Sequence, residues 1–288
     1  MGFSKTSRIQ NNPVLIPALT NVTDIACGAN HALALDTKGN VYIWGSGEQN
    51  QLGYRVVLRT RGDALVPRLL RLRKKIRAVG CGQDHSFAVG RDEQVYAWGL
   101  NSFGETAIEE NAGDDGAVVA NASVVPALNL PNNDTITQIT GGAHHSVAVT
   151  ASGRCLIWGR LDGSQTGCDP STLPENDIIK DAKGVPRILI GPTDVPNVVG
   201  ATCAAAGTDN TIAIDGNGKA WSWGFSANYQ TGLGTDDDVT TPTMIQNTAV
   251  RDKVLVWAGA GGQFSMLASA HIGEAAEAGA SPSGANGQ

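Results

Sequence analysis

An all-β, propeller-type repeat array is the fold class predicted by this 288-residue sequence, and three observations predict it. One phrase recurs four times: CGANHALALDTKGNVYIWG from Cys27, CGQDHSFAVGRDEQVYAWG from Cys81, GGAHHSVAVTASGRCLIWG from Gly141 and AGTDNTIAIDGNGKAWSWG from Ala206. The Trp-Gly ends fall at Trp44, Trp98, Trp158 and Trp223, spaced by 54, 60 and 65 residues, while the thirteen-residue gap back to His31, His85, His145 or Asn210 stays constant. A constant core with variable spacers marks one structural unit repeated with different loops. Within each unit, two short alternating runs flank a turn rich in Gly and Asn, which is a hairpin pattern with no competing helical period. A degenerate fifth start, AGGQFSMLASA from Ala260, predicts a partial unit.

Each element has its own reason. His31 to Leu35 and Val41 to Trp44 read as paired strands around the turn Asp36-Thr37-Lys38-Gly39-Asn40, and the hairpin recurs around Ala151-Ser152-Gly153 and Asp215-Gly216-Asn217-Gly218. Each hairpin leaves an apolar face that only a neighbouring sheet covers, so the unit must repeat. Trp44, Trp98, Trp158 and Trp223 read as anchors between adjacent sheets, each ring burying on the order of 200 Å². The Gly after each Trp permits a close backbone approach. The connectors that follow, SGEQNQLG, LNSFGETA, RLDGSQTG and FSANYQTG, carry Gln and Asn side chains suited to satisfying local backbone groups. They are not phosphate loops, since neither GxGxxG after Trp44-Gly45 nor GxxxxGKS/T anywhere is present. The spacer from Cys168 to Asn197 holds five prolines and reads as a surface insertion, and residues 271–288 read as a disordered tail.

Composition narrows the class. The chain is 41% hydrophobic and 17% charged with a net charge of −6, which suits a soluble protein with a substantial core. No run approaches the roughly 20 apolar residues of a membrane span, and GFSKTSRIQNNP after Met1 has no signal-like stretch, so an intracellular protein without membrane partners is expected. Cys27 and Cys81 share a repeat position with Gly141 and Ala206, a place for a small residue. Cys155, Cys168 and Cys203 lack CxxC spacing, so neither metal nor disulfide framework is predicted, and no cofactor motif occurs.

The repeat His-(Ser/Ala/Thr)-x-Ala-hydrophobic…Trp-Gly…Gln-x-Gly resembles the regulator of chromosome condensation family, whose members form seven-bladed propellers. The match covers roughly residues 13–270. IWGSGEQNQLG, GGAHHSVAV and WSWGFSANYQTGLGTDDD resemble the fungal branch of its founding guanine nucleotide exchange factor for the Ran GTPase. The resemblance implies an exchange factor for a Ran-like small GTPase, a non-covalent catalyst rather than an enzyme of bond chemistry. It would be chromatin-associated in the nucleus and act in nucleocytoplasmic transport and mitosis, with a cytoplasmic location if the N-terminal localisation signal is absent. Four repeats plus a stub make this a fragment of seven blades. Residues 1–20 are then the remnant of a preceding blade and wedge region, followed by repeats at 21–75, 76–135, 136–198, 199–256 and a partial 257–270.

The resemblance also proposes sites. In the ring column His31, His85, His145 and Asn210, one reading has each side chain bonding a backbone group near the channel. The other makes one of the doubled pair His144-His145, with His145 ahead of His144, the family histidine that contacts the GTPase. Asn30 falls where animal homologues carry an acid implicated in exchange. Tyr54 replaces a family Arg, with Arg55 one place on, and Phe264 replaces a channel histidine. His31 completes the GTPase-contact candidates. From Arg55 to Arg77 nine Lys or Arg face the single Asp63, either a solvated loop or a docking patch for an acidic partner. In the family the matching loop meets the acidic histone surface of the nucleosome, which makes Arg59 and Arg61 candidates. A pI near 5.3 with few interleaved aromatics argues against sequence-specific DNA reading. Two alternatives to exchange stand: a propeller scaffold for protein–protein interaction, and an inactive fragment.

Overall fold

The computed structural model describes residues 2–6 and 9–270, so the tail expected to be disordered lies outside the described residues. The chain forms a β-propeller arc. The first blade is an antiparallel sheet of β1 (Val22–Cys27), β2 (His31–Asp36), β3 (Val41–Gly45) and β4 (Arg68–Leu70). The second holds β5 (Ile76–Cys81), β6 (His85–Gly90), β7 (Val95–Leu100) and β8 (Val118–Val124). The third holds β9 (Ile136–Gly141), β10 (His145–Thr150), β11 (Cys155–Arg160), β12 (Ile178–Lys180) and β13 (Pro186–Asp194), in the order β12-β13-β11-β10-β9. The fourth holds β14 (Cys203–Ala206), β15 (Asn210–Ile214), β16 (Ala220–Gly224) and β17 (Val239–Met244), and β18 (Leu255–Ala260) with β19 (Ser265–Ser269) form a two-stranded fifth sheet.

The Cys168–Asn197 spacer corrects the expected surface insertion. It supplies two strands of the third blade, with Leu189 opposite Gly159 and Ile188 opposite Arg160. The run Ile188-Leu189-Ile190 is buried, so apolar burial outweighs the turn signals of the flanking prolines.

Four apolar cores lie between successive sheets rather than within them. Leu33 and Ile43 of the first blade share one with Val79 and Trp98 of the second, and Phe87 and Val95 share the next with Leu156 and Trp158. The third core joins Val147 and Ile157 to Trp223, and the fourth joins Ile212 to Leu255 and Ala258. Trp98, Trp158 and Trp223 are fully buried, and Trp44 is nearly so. Gly2 (φ +79°) lies against the Trp44 indole as Gly53 (φ +67°) lies against Trp98 and Gly167 (φ +65°) against Trp223. Gly2 thus holds the place that a preceding blade's loop glycine holds elsewhere.

Two glycine columns explain much of the repeat phrase. The Gly after each Trp has positive φ (Gly45 +125°, Gly99 +102°, Gly159 +117°, Gly224 +99°), and a Cβ there would meet the carbonyl oxygen of Asn30, Asp84, His144 or Asp209 at 2.2–2.5 Å. The second column, Gly28, Gly82 and Gly142, presses against the ring histidines, and a Cβ on Gly82 would sit 1.9 Å from His85 Cε1. No L side chain fits that space. Gly82→Ala is therefore expected to destabilise the chain by about 1–3 kcal/mol through overpacking, read as a lowered urea midpoint, whereas Gly62→Ala, with open space around it, leaves the midpoint in place.

Candidate functional site

The loops joining β1 to β2, β5 to β6, β9 to β10 and β14 to β15 gather at one end of the arc. A ring of inter-blade backbone bonds fixes them: Ala29 N to Gln83 O (3.0 Å), Gln83 N to Gly142 O (2.9 Å), Ala143 N to Thr208 O (2.9 Å) and Thr208 N to Gly261 O (3.1 Å). They surround a channel mouth of about 310 Å³ walled largely by glycine backbone. The post-Trp connectors lie at the same end, since Gly45 and Gly99 pair with His31 and His85 at the start of the adjacent strand.

Beneath this rim the blades are linked by one repeated arrangement. Ser86 Oγ donates to Gln51 O (3.0 Å), Ser146 Oγ to Glu105 O (2.8 Å) and Thr211 Oγ1 to Gln165 O (3.0 Å). The same three carbonyls accept the indole N–H of Trp98 (2.8 Å), Trp158 (2.9 Å) and Trp223 (2.9 Å). Each hydroxyl has spent its hydrogen, so it accepts from the ring histidine of the blade before it: His31 Nε2–H to Ser86 (2.8 Å), His85 to Ser146 (2.8 Å) and His145 to Thr211 (2.9 Å). In the fourth blade Asn210 Nδ2 reaches Ser265 Oγ at 3.3 Å. The column therefore bonds the next blade's hydroxyl, not the backbone group expected from sequence.

This burial bears directly on His145, the leading site candidate. His145 and His85 are fully buried and have no surface to offer a partner, and His31 is 5% exposed. Desolvation pushes their pKa values down, to about 4 for His31 and about 3 for His85 and His145, with neighbouring imidazoles adding to the effect at His85 and His145. Their Nδ1 atoms have no hydrogen-bond partner among the described residues, consistent with neutral rings.

His144 is the accessible member of the doubled pair. It precedes β10, so its side chain leaves the buried column, with 32% of it exposed. Its Nδ1 meets Glu105 Oε1 at 3.0 Å, and Phe103 lies 4.8 Å from the ring at a 52° tilt. The Arg160 guanidinium sits 5.0 Å from the Phe103 centroid and is paired with Asp162. Asp84, one blade back, accepts from Gln51 Nε2 at 3.0 Å; burial raises its pKa, opposed by nearby His144 and by bonds from Gln51 and Gln83. Asn30, Asp84, His144 and Asp209 thus form a second column, one residue before the ring column. Sequence reasoning passed over Glu105 and Asp84; the signal was Glu105 standing where the other connectors carry Gln51, Gln165 and Gln230.

Asn30 lines a cleft of about 510 Å³ with Gly47, Glu48, Val56, Leu58 and Arg61. Tyr54 is tucked beneath Arg68, whose guanidinium lies 4.5 Å from its ring centroid, leaving Arg55 exposed beside it. The fold divides the basic run. Arg55, Arg59 and Arg61 stay at the rim end, where Arg61 pairs with Glu48 at 2.5 Å and Leu58 is 89% exposed. Because β4 runs back along β3, with Leu70 opposite Val41, Arg71, Arg73, Lys74 and Lys75 emerge at the hairpin end. Phe264 is exposed at the fifth sheet, and its ring takes the histidine's place against Gly261.

Among the described residues no cluster of three or more His, Cys, Asp or Glu is placed to hold a metal, and no helix is long and apolar enough to cross a membrane. All five cysteines are free. Cys81 is buried as a small residue, whereas Cys27, in the same repeat position, is exposed.

Comparison with known proteins places this geometry. The RCC1-like domain model matches residues 1–267. Protein pim1 of Schizosaccharomyces pombe is 39% identical over 269 residues, covering 93% of this chain and 49% of that protein. The guanine nucleotide exchange factor SRM1 of Saccharomyces cerevisiae is 38% identical over 270 residues, covering 92% and 55%. The crystal structure of Prp20p from Saccharomyces cerevisiae, described with its binding to Gsp1p and histones, superposes with a TM-score of 0.85 at 39% identity, covering 92% of this chain and 60% of that one. The chain spans about half the length of the curated relatives it matches. With the repeat, the inter-blade arrangement and these matches in agreement, the chain belongs to the RCC1-like domain family.

Proposed function

We propose that this chain supplies the GTPase-facing rim of a guanine nucleotide exchange factor for a Ran-like small GTPase, associated with chromatin in the nucleus and acting in nucleocytoplasmic transport and mitosis. The observation that carries the reading is His144: a partly exposed imidazole on a rim tied by inter-blade backbone bonds, in a chain whose relative SRM1 is an exchange factor. Exchange needs no bond chemistry from the protein. A rim that binds the nucleotide-free GTPase more tightly than the loaded form speeds release by that difference in affinity. We assign Arg59 and Arg61, at the same end, to an acidic partner such as a histone surface.

A non-exchanging scaffold is the second reading, favoured by Asn30 in place of an acid and by Tyr54 turned under Arg68. The test is release of fluorescent GDP from a preloaded Ran-like GTPase on adding this chain, beside a full-length relative. Exchange predicts acceleration that His144→Ala reduces. No acceleration by the chain, with histone binding retained, supports the scaffold.

A further inference from the structure

We propose that Glu105 is a positioning residue that sets the hydrogen-bond polarity of His144, so that the neutral ring presents a bare Nε2 outward as an acceptor. A partner meeting the rim there offers an N–H or O–H donor, and this second step rests on the GTPase reading above. The argument begins in the connectors. In each of three copies a backbone N–H two residues earlier fixes one oxygen of the same repeat position: Gln49 N to Gln51 Oε1, Phe103 N to Glu105 Oε2 and Asn228 N to Gln230 Oε1, all at 2.8 Å.

That bond decides what crosses to the next blade. With Gln51 the oxygen is held by the loop, so its NH₂ points across and requires an acceptor, which Asp84 supplies at 3.0 Å. With Glu105 the second group is another oxygen, so it requires a donor, which is His144 Nδ1–H at 3.0 Å. The two pairings are complementary: the connector with Glu105 faces a histidine and the connector with Gln51 faces Asp84, while the Gln165 amide, followed in sequence by Asp209, has no hydrogen-bond partner among the described residues. Glu105 is fully buried, so the bond is shielded from water, and Phe103 packs beside the ring. The other charged groups around His144 are Asp84, across the blade boundary, and Arg160, behind Phe103. Nδ1–H committed inward leaves Nε2 as the ring's working edge.

The tautomer is directly observable. Long-range ¹⁵N–¹H NMR of the whole chain, recorded at about pH 8.5, two units above the ordinary histidine value, reports which nitrogen of His144 carries hydrogen. Nδ1 protonated and Nε2 bare is expected, with the pattern reversed in Glu105→Gln, whose amide NH₂ would donate to Nδ1. Nε2 protonated in the parent chain, or both nitrogens protonated at that pH, overturns the assignment.

A swap supplies a second readout. His144→Asp places two carboxylates together and should lower the urea midpoint. Adding Glu105→Gln recreates the Gln51–Asp84 arrangement and should return the folding equilibrium by about tenfold or more, and simple additivity contradicts the coupling. Where the parent chain accelerates GDP release, Glu105→Gln should slow it about tenfold at unchanged fold; an unchanged rate overturns the donor-on-partner step. If the parent chain shows no exchange, the GTPase reading fails, while the NMR and swap results stand or fall separately.

Discussion

Trp158→Ala is expected to destabilise the chain by about 3–5 kcal/mol, the range for truncating a buried aromatic ring. Trp158 is fully buried in the core between the second and third blades and packs edge-on to Phe87 at a centroid distance of 6.0 Å. Its indole N–H also occupies Glu105 O, so truncation strips that carbonyl of one of its two donors. In an array held by nearest-neighbour interfaces the damage concentrates at one boundary, so the second and third blades should part first. Urea unfolding measures the total, and limited proteolysis should find new cleavage between Pro126 and Asp134, the connection between those blades. Trp158→Phe keeps most of the apolar contact but loses the donor, and should cost less. Equal losses in the two variants would mean that the hydrogen bond, not the ring, holds the boundary.

Acid is expected to unfold the chain in a window set by three imidazoles. The folded-state pKa values of His31, His85 and His145, about 4, 3 and 3, lie below the ordinary value of about 6.5. A group with a depressed histidine pKa is protonated in the unfolded chain first. Its contribution is intact above pH ~6.5 and drains as pH falls toward the folded values. By pH ~4.5 each ring should have withdrawn on the order of 2 kcal/mol, together a large share of the 5–15 kcal/mol of a typical domain. Among the carboxylates, Asp36 and Asp134, where desolvation is outweighed by bonds from Asn40 and Ser152, lose their contribution only at lower pH, whereas Asp84, raised by burial, partly opposes the imidazoles. The check is the urea midpoint at several pH values from about 7.5 to 4.5 in the parent chain and in His85→Asn, a change that copies Asn210 of the fourth blade. The variant should lose about a third of the slope. A flat midpoint across the window would show that the rings are hydrated or already charged.

The repeat made the blades readable because every feature of the phrase has a local cause: the Trp fills an inter-blade core, the Gly after it avoids a carbonyl, and the earlier Gly makes room for an imidazole. The third blade's outer strands were less visible, since Pro186 and Pro192 mask an apolar run whose partner lies 30 residues earlier in the chain. Which member of the doubled histidine is buried was hidden for a similar reason. Alternation places His144 and His145 on opposite sides of the strand, but only the hydroxyl at Thr211 in the next blade decides which side is buried. Likewise the basic run looked continuous until β4 turned it toward two ends of the blade.

Affinity for a nucleotide-free Ran-like GTPase, compared between the parent chain and His144→Ala, tests the rim assignment most directly. Tight binding by the parent, weakened about tenfold or more by His144→Ala under conditions where circular dichroism shows both proteins folded, is the expected result. Binding that is equal in both proteins would place the contact elsewhere on the propeller and contradict the role assigned to His144.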